Sequence, residues 1–434
     1  MASIKLNNYS QRFILNNEVH ARPYQLMSSP MRVSHIALLS NDHEQEIKAI
    51  SSLCDHFGVT RPNSDSNFFI ADFPLFQMRW ERHTEFSTYT LAEPVNSDQP
   101  FAESALSKLP ENWLAELPGE VLTSLNLELV RNLDEELTLV DLHKLFSSNT
   151  VAGSVVSSGA AIVWTDFNIH GDGFNRVLIE DKDLRQRQAG RLVQRILEIE
   201  TYRMLALLSL PLARKFSLEL SRSDTELARL TQQVSGLWKI EEEQKLLEEL
   251  SRIAANVEHI AANTGYRFSA TNAYYGLVNR RITELREQRI DGVQTFQEFM
   301  ERRLTPAVRT CESVSERVNS LSNRISRVSD LLRTRININL EAQNRDLLHS
   351  MDKRAAVQLR LQEMVEGLSV VVLSYYGVGL IGYMLKGLKQ LNINVNTDLA
   401  IGISVPLVAL TVYMGLRLTR RRLDARLKDD DASK

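Results

Sequence analysis

The chain has 434 residues, 24% of them charged, and its 51 Lys and Arg against 54 Asp and Glu leave a formal net charge of -3. There is no basic excess of the kind nucleic-acid binding requires, so nucleic acid is not an expected partner. The two cysteines, Cys54 and Cys311, lie far apart with no CxxC or Cys/His spacing, which argues against a disulfide framework and against a zinc site.

The N-terminus, MASIKLNNYSQRF, has no apolar core of the signal-peptide kind, so membrane targeting is expected from the C-terminal end. Residues 1–182 read as a mixed α+β domain. Strands are predicted at 33–39, 68–73, 76–80, 86–91, 122–130 and 160–166, where β-branched and aromatic residues are punctuated by Pro and Gly. Residues 42–57 place Ile47, Ile50, Leu53, Cys54 and Phe57 on one helical face. Asn41 or Asp42 can cap that helix through a side-chain oxygen. Residues 94–118 read as a loop with one short helix.

Two polar clusters stand out in this part. Glu18, His20 and Arg22 alternate and share one side of an extended segment. Asp166, His170 and Asp172 surround Gly171 and Gly173. Were the two to meet, carboxylate and imidazole could bind a metal or act as acid and base. No known metal or catalytic spacing is matched, however, and turn and cap chemistry accounts for each cluster. No nucleophile, cofactor motif or P-loop is present, so an enzyme is not expected and no cofactor is predicted.

From residue 183 to 366 Pro and Gly become sparse. Leu246, Leu250, Ile253, Val257 and Ile260 step by four and three, as do Val314, Val318, Leu321, Ile325, Val328 and Leu332. Such steps lay one apolar seam along a helix, in the manner of helices packing as coiled coils. Turns are predicted at 221–224 and at Asp291-Gly292. Residues 313–366 lack Pro and Gly and, as one helix of about 80 Å, would form a stalk. The apolar run 204–212 is bracketed by Arg203 and Arg214 and kinked by Pro211, so it reads as a buried helix contact rather than a span.

Residues 367–385 and 399–416 carry no charge. Each approaches the roughly 20 apolar residues that cross a bilayer core of about 30 Å. Together they predict a transmembrane hairpin, in preference to two buried core helices. The tail 417–434 opens with Arg417, Arg420, Arg421 and Arg422, which favours the cytoplasmic side. Lys386 and Lys389 argue weakly the other way. Both termini are therefore expected in the cytoplasm, with the loop 386–398 outside.

In the first span, Gly377, Gly379, Gly382 and Gly387 provide small positions, and Tyr375, Tyr376 and Tyr383 provide hydroxyls. They suit a pore lining or simple helix packing. Pro406 in the second span reads as a local kink. In the loop, Asn392, Asn394, Asn396 and Asp398 would form oxygen-rich rings in a symmetric oligomer, or an ordinary polar turn. Below the first span, Glu363 and Glu366 could ring a channel mouth, pair with Arg420 to Arg422, or form a solvated flank.

Four phrases carry a resemblance: Asn16-Asn17-Glu18-Val19-His20-Ala21-Arg22-Pro23, Val163-Trp164-Thr165-Asp166-Phe167 leading to His170, Gln188-Ala189-Gly190-Arg191-Leu192-Val193-Gln194-Arg195, and Val365-Glu366-Gly367-Leu368-Ser369-Val370. Through them the chain resembles, essentially end to end, a bacterial family of membrane-anchored proteins of unknown function. That resemblance implies a bacterial inner-membrane location. The order of domain, long helices, stalk and two spans also resembles CorA-type magnesium channels, which are oligomers with the first span lining the pore. Their Gly-Met-Asn hallmark is represented only by Tyr376-Gly377-Val378-Gly379, without the Met or Asn and near mid-span. The resemblance implies a homo-oligomer with a divalent cation, magnesium, as its ion. The alternative is a membrane-anchored scaffold or regulator acting through its helices.

Overall fold

The computed structural model describes residues 8–13, 15–16, 24–95, 99–131, 137–234, 236, 240–390 and 396–431. The chain divides into two compact units, Met1–Asp330 and Leu331–Lys434.

The first unit is built on a sheet of nine strands among the described residues: β1 (Met31–Leu39), β2 (Phe68–Asp72), β3 (Gln77–Arg82), β4 (Ser87–Pro94), β5 (Glu120–Arg131), β6 (Ala152–Val156), β7 (Ala161–Thr165), β8 (Asn175–Asp181) and β9 (Gln288–Arg289). Their order is β2-β3-β4-β1-β5-β8-β7-β6-β9. Every adjacent pair is antiparallel except β5 and β8, whose parallel pairing from Leu125↔Asn175 to Arg131↔Asp181 joins two antiparallel groups.

Central strand β1 is buried on both faces. Because successive side chains alternate between faces, Ile36 and Leu38 enter one core and Val33 the other. Helix α1 (His43–Phe57) covers the first face with Ile50, Leu53 and Cys54, and Trp113 of the short helix α2 (Trp113–Glu116) joins them. Asp42 Oδ1 accepts from the Gln45 amide at 3.0 Å and closes the start of α1. Gly58, at φ 71°, ends it in a left-handed conformation that costs glycine nothing. After the short helix α3 (Leu139–Leu145) come α4 (Gln186–Leu207), α5 (Leu210–Val234) and α6 (Ile240–Leu285). Leu192, Val193 and Ile196 of α4 and Val278 and Ile282 of α6 pack on the second face.

The predicted strands are all present, but β6, β8 and β9 were not foreseen. Strand β6 is made largely of small residues, and β8 has only three consecutive apolar residues between charges. Three smaller expectations need correction. The region 94–118 holds two short elements, a 3-10 turn at Ala105–Lys108 and α2, rather than one. No turn interrupts 221–224, which lies within α5. There the Ser221 hydroxyl donates to the Ser217 carbonyl at 2.9 Å and accepts from Arg317 at 3.0 Å, while Asp224 pairs with Arg324, so the turn-forming side chains are occupied along the helix. Pro211 does not kink a helix but stands in the first turn of α5, where its missing N–H is harmless. The predicted seams are buried from Leu246 to Ile260 and from Val314 to Leu332.

Helix α7 (Phe296–Gln390) begins just after Gly292, whose φ of 79° marks the predicted turn, and it is unbroken through the first uncharged run. Helix α8 (Thr397–Asp431) carries the second. Both are long and apolar enough to cross a membrane, and neither apolar run is buried within the chain, unlike a core helix.

Candidate functional site

In the second unit the two apolar runs lie against each other. Half-buried positions on α7 recur at Ser374, Gly377, Val378, Ile381, Gly382 and Leu385, and on α8 at Ile401, Ser404, Val408, Val412 and Leu416. These are three-and-four steps, the mark of one contact stripe per helix. A Cβ at Gly377 would stand 2.7 Å from Val408 Cγ1, and one at Gly382 would stand 3.7 Å from Ile401 Cδ1. The higher number on α7 meets the lower on α8, so the pair is antiparallel, and Gly377 is required for the close approach.

Tyr376, Gly379 and Tyr383 fall on the opposite side of α7, spaced three and four apart. Tyr376 is 65% and Tyr383 75% exposed, and Tyr375 is exposed beside them. Asn396 precedes α8, and Asp398 stands in its first turn, where a carboxylate complements the helix N-terminus. Asn392 and Asn394 lie outside the described residues. Glu363 is exposed and Glu366 half-buried on α7, and Arg420, Arg421 and Arg422 belong to α8.

In the first unit, Asp166 and His170 follow β7 and come together, with His170 Nε2 2.9 Å from a buried Asp166 oxygen. That contact is a close approach without hydrogen-bond alignment. Asp166 accepts from Asn149 Nδ2 at 2.7 Å and from the Asn168 amide at 3.2 Å, the latter a local turn bond. Asp172 does not join them: it accepts from the Phe174 amide and lies 3.5 Å from Arg176. Among the described residues no group of three His, Cys, Asp or Glu could hold a metal. Glu18, His20 and Arg22 lie outside the described residues.

The sequence carried no sign of a polar cavity of about 260 Å³ in the first unit. It lies between the β1, β3 and β4 face of the sheet and helices α4 and α6. His35 forms part of its floor, with Nδ1 2.8 Å from Thr90 Oγ1 and Nε2 3.0 Å from Thr201 Oγ1. The single Thr201 hydroxyl proton goes to the Leu197 carbonyl at 2.9 Å. Thr201 must therefore accept from His35 Nε2–H, and the neutral ring accepts from Thr90 through Nδ1. Beside the floor, Arg79 donates to Glu81 at 2.7 Å and to Gln194 at 3.4 Å, and Gln194 donates to Glu198 at 2.8 Å. Arg281 pairs with the other Glu198 oxygen. His83, Phe86 and Tyr202 line both this cavity and an open cleft beside Tyr274.

Taken together, the chain is a sheet-and-helix unit followed by two helices long and apolar enough to span a bilayer. It belongs to the family described as Protein of unknown function (DUF3422), whose pattern matches residues 7–423. No curated protein matches the chain.

Proposed function

We propose that the chain is the subunit of a homo-oligomeric membrane channel for cations, CorA-like in architecture, with the first span of each copy around a shared axis. The observation that carries this reading is the uncovered Tyr376–Gly379–Tyr383 face of α7. Tyr376 stands at the midpoint of the uncharged residues 367–385. A phenol hydroxyl facing hydrocarbon without a partner is costly, whereas a neighbouring copy or a column of water relieves that cost. Gly379 between the tyrosines lets a second helix approach closely. Two spans cannot enclose a path, so conduction requires several copies. Asn396 and Asp398 would offer oxygen ligands to a hard divalent cation such as magnesium at the loop end. The basic tail favours a cytoplasmic position for both termini and for the sheet unit, in a bacterial inner membrane.

The second reading is a membrane anchor for a scaffold or regulator, without transport. It is favoured by the missing Met and Asn after Tyr376-Gly377. The two separate in liposomes holding the purified full-length protein, by flux of magnesium, cobalt, nickel and potassium together with oligomeric mass. The channel reading expects a symmetric oligomer with saturable flux that Tyr376→Ala or Asp398→Ala alters at least several-fold. A folded oligomer without flux of any of these ions leaves the anchor reading, and a monomer removes the channel altogether.

A further inference from the structure

The cavity above His35 is a built site whose lining specifies its occupant. Its wall holds two guanidinium groups, Arg79 and Arg281, and two carboxylates, Glu81 and Glu198, which cancel in charge. Its floor has the neutral His35, with both ring nitrogens already engaged by threonines. A ligand with net charge would therefore bring an uncompensated charge against a wall whose own charges already cancel, and such charge is costly to desolvate. A ligand carrying one charge of each sign would meet both halves of the wall.

Two further side chains point the same way. Thr88 is 6% exposed and its side chain belongs to the cavity lining. Glu81, also in the lining, accepts from Arg79 through one oxygen, Oε1. A hydroxyl and a carboxylate oxygen side by side on a cavity wall can both accept from the N–H groups of a ligand. The space of about 260 Å³ suits a molecule of amino-acid size rather than a nucleotide.

We propose that this cavity binds a small zwitterion of the α-amino-acid class, its ammonium received by Glu81 and Thr88 and its carboxylate by Arg79 and Arg281. The site would give the first unit a soluble ligand whether or not the membrane hairpin conducts ions.

The test is equilibrium dialysis of the full-length protein in detergent micelles against each labelled proteinogenic amino acid at millimolar concentration. At least one should be retained saturably, at one site per chain. Its N-acetyl derivative, a monoanion, and its methyl ester, a monocation, should bind about tenfold more weakly or worse, since each loses one charge-assisted contact. Thr88→Val keeps the shape of the cavity and removes the hydroxyl, and should weaken retention about fivefold. Glu81→Gln should weaken it further, with the unfolding temperature of each variant measured alongside to confirm folding. Failure of the wild-type protein to retain any amino acid overturns the proposal. So does equal retention of the acetylated and esterified forms, or retention unchanged in a folded Thr88→Val.

Discussion

Between Thr90 and Thr201 the His35 imidazole is held neutral, and burial, with Arg79 and His83 adding to it, lowers its pKa from the ordinary 6.5 to about 3. Below pH 6.5 the unfolded chain takes up a proton that the folded chain refuses until about pH 3. The unfolded state binds more protons across that window, so stability is full above it and falls as the pH drops through it. The slope is up to about 1.4 kcal/mol per pH unit. Urea unfolding followed by tryptophan fluorescence should therefore show the wild-type protein losing about 2 kcal/mol more than His35→Gln between pH 7 and pH 5. Equal losses would mean that His35 is protonated in the fold. Gly190 is informative at the same scale. A Cβ there would lie 1.8 Å from the Gln25 carbonyl oxygen, so the glycine in the Gln188-Ala189-Gly190-Arg191 phrase lets helix α4 meet the chain beside the cavity.

Among elements, the hairpin of α7 and α8 makes the sharpest claim. Gly377 faces Val408, while Tyr376, one residue earlier, faces away. With cysteines at Gly377→Cys and Val408→Cys, mild oxidation in membranes should close a bond within one chain, seen as a shift in mobility without a change in mass. Moving the first cysteine to Tyr376→Cys should abolish that intrachain bond. On the proposed assembly the Tyr376→Cys chain should cross-link to a second copy instead. An intrachain bond from both positions would contradict the stripe. The same elements show how much could be read in advance. The two spans and the buried seams were legible because each rests on a short local period, whereas β6 and β8 were not, because small or charged residues mask their alternation. The predicted turn at 221–224 failed for a related reason: Ser221 and Asp224 are engaged by Arg317 and Arg324, about a hundred positions away.

For the whole molecule, the family match extends over both units, which places the sheet unit and the apolar helices in one kind of protein. The charge around the spans then makes a topological prediction. In intact cells, an impermeant maleimide should label Asn396→Cys, and it should reach Ser433→Cys only after the membrane is opened. The reverse pattern would place the sheet unit outside and remove the cytoplasmic part of the proposal. Of the candidate residues, Asp166 and His170 do meet, and Asp172 is drawn to Arg176 instead.

By itself the sequence determined that this chain ends in two helices able to cross a membrane, and it determined most of the strands and apolar seams. Length, charge and periodicity are properties of neighbours along the chain, and they survive without knowledge of the fold. Only the tertiary structure decided the strand order, the parallel joint of β5 and β8, and the cavity beneath α4. His35 meets Thr201, and Glu198 meets Arg281, across long stretches of chain. Such pairings are set by how the sheet and helices close on one another, which no local pattern of residues records.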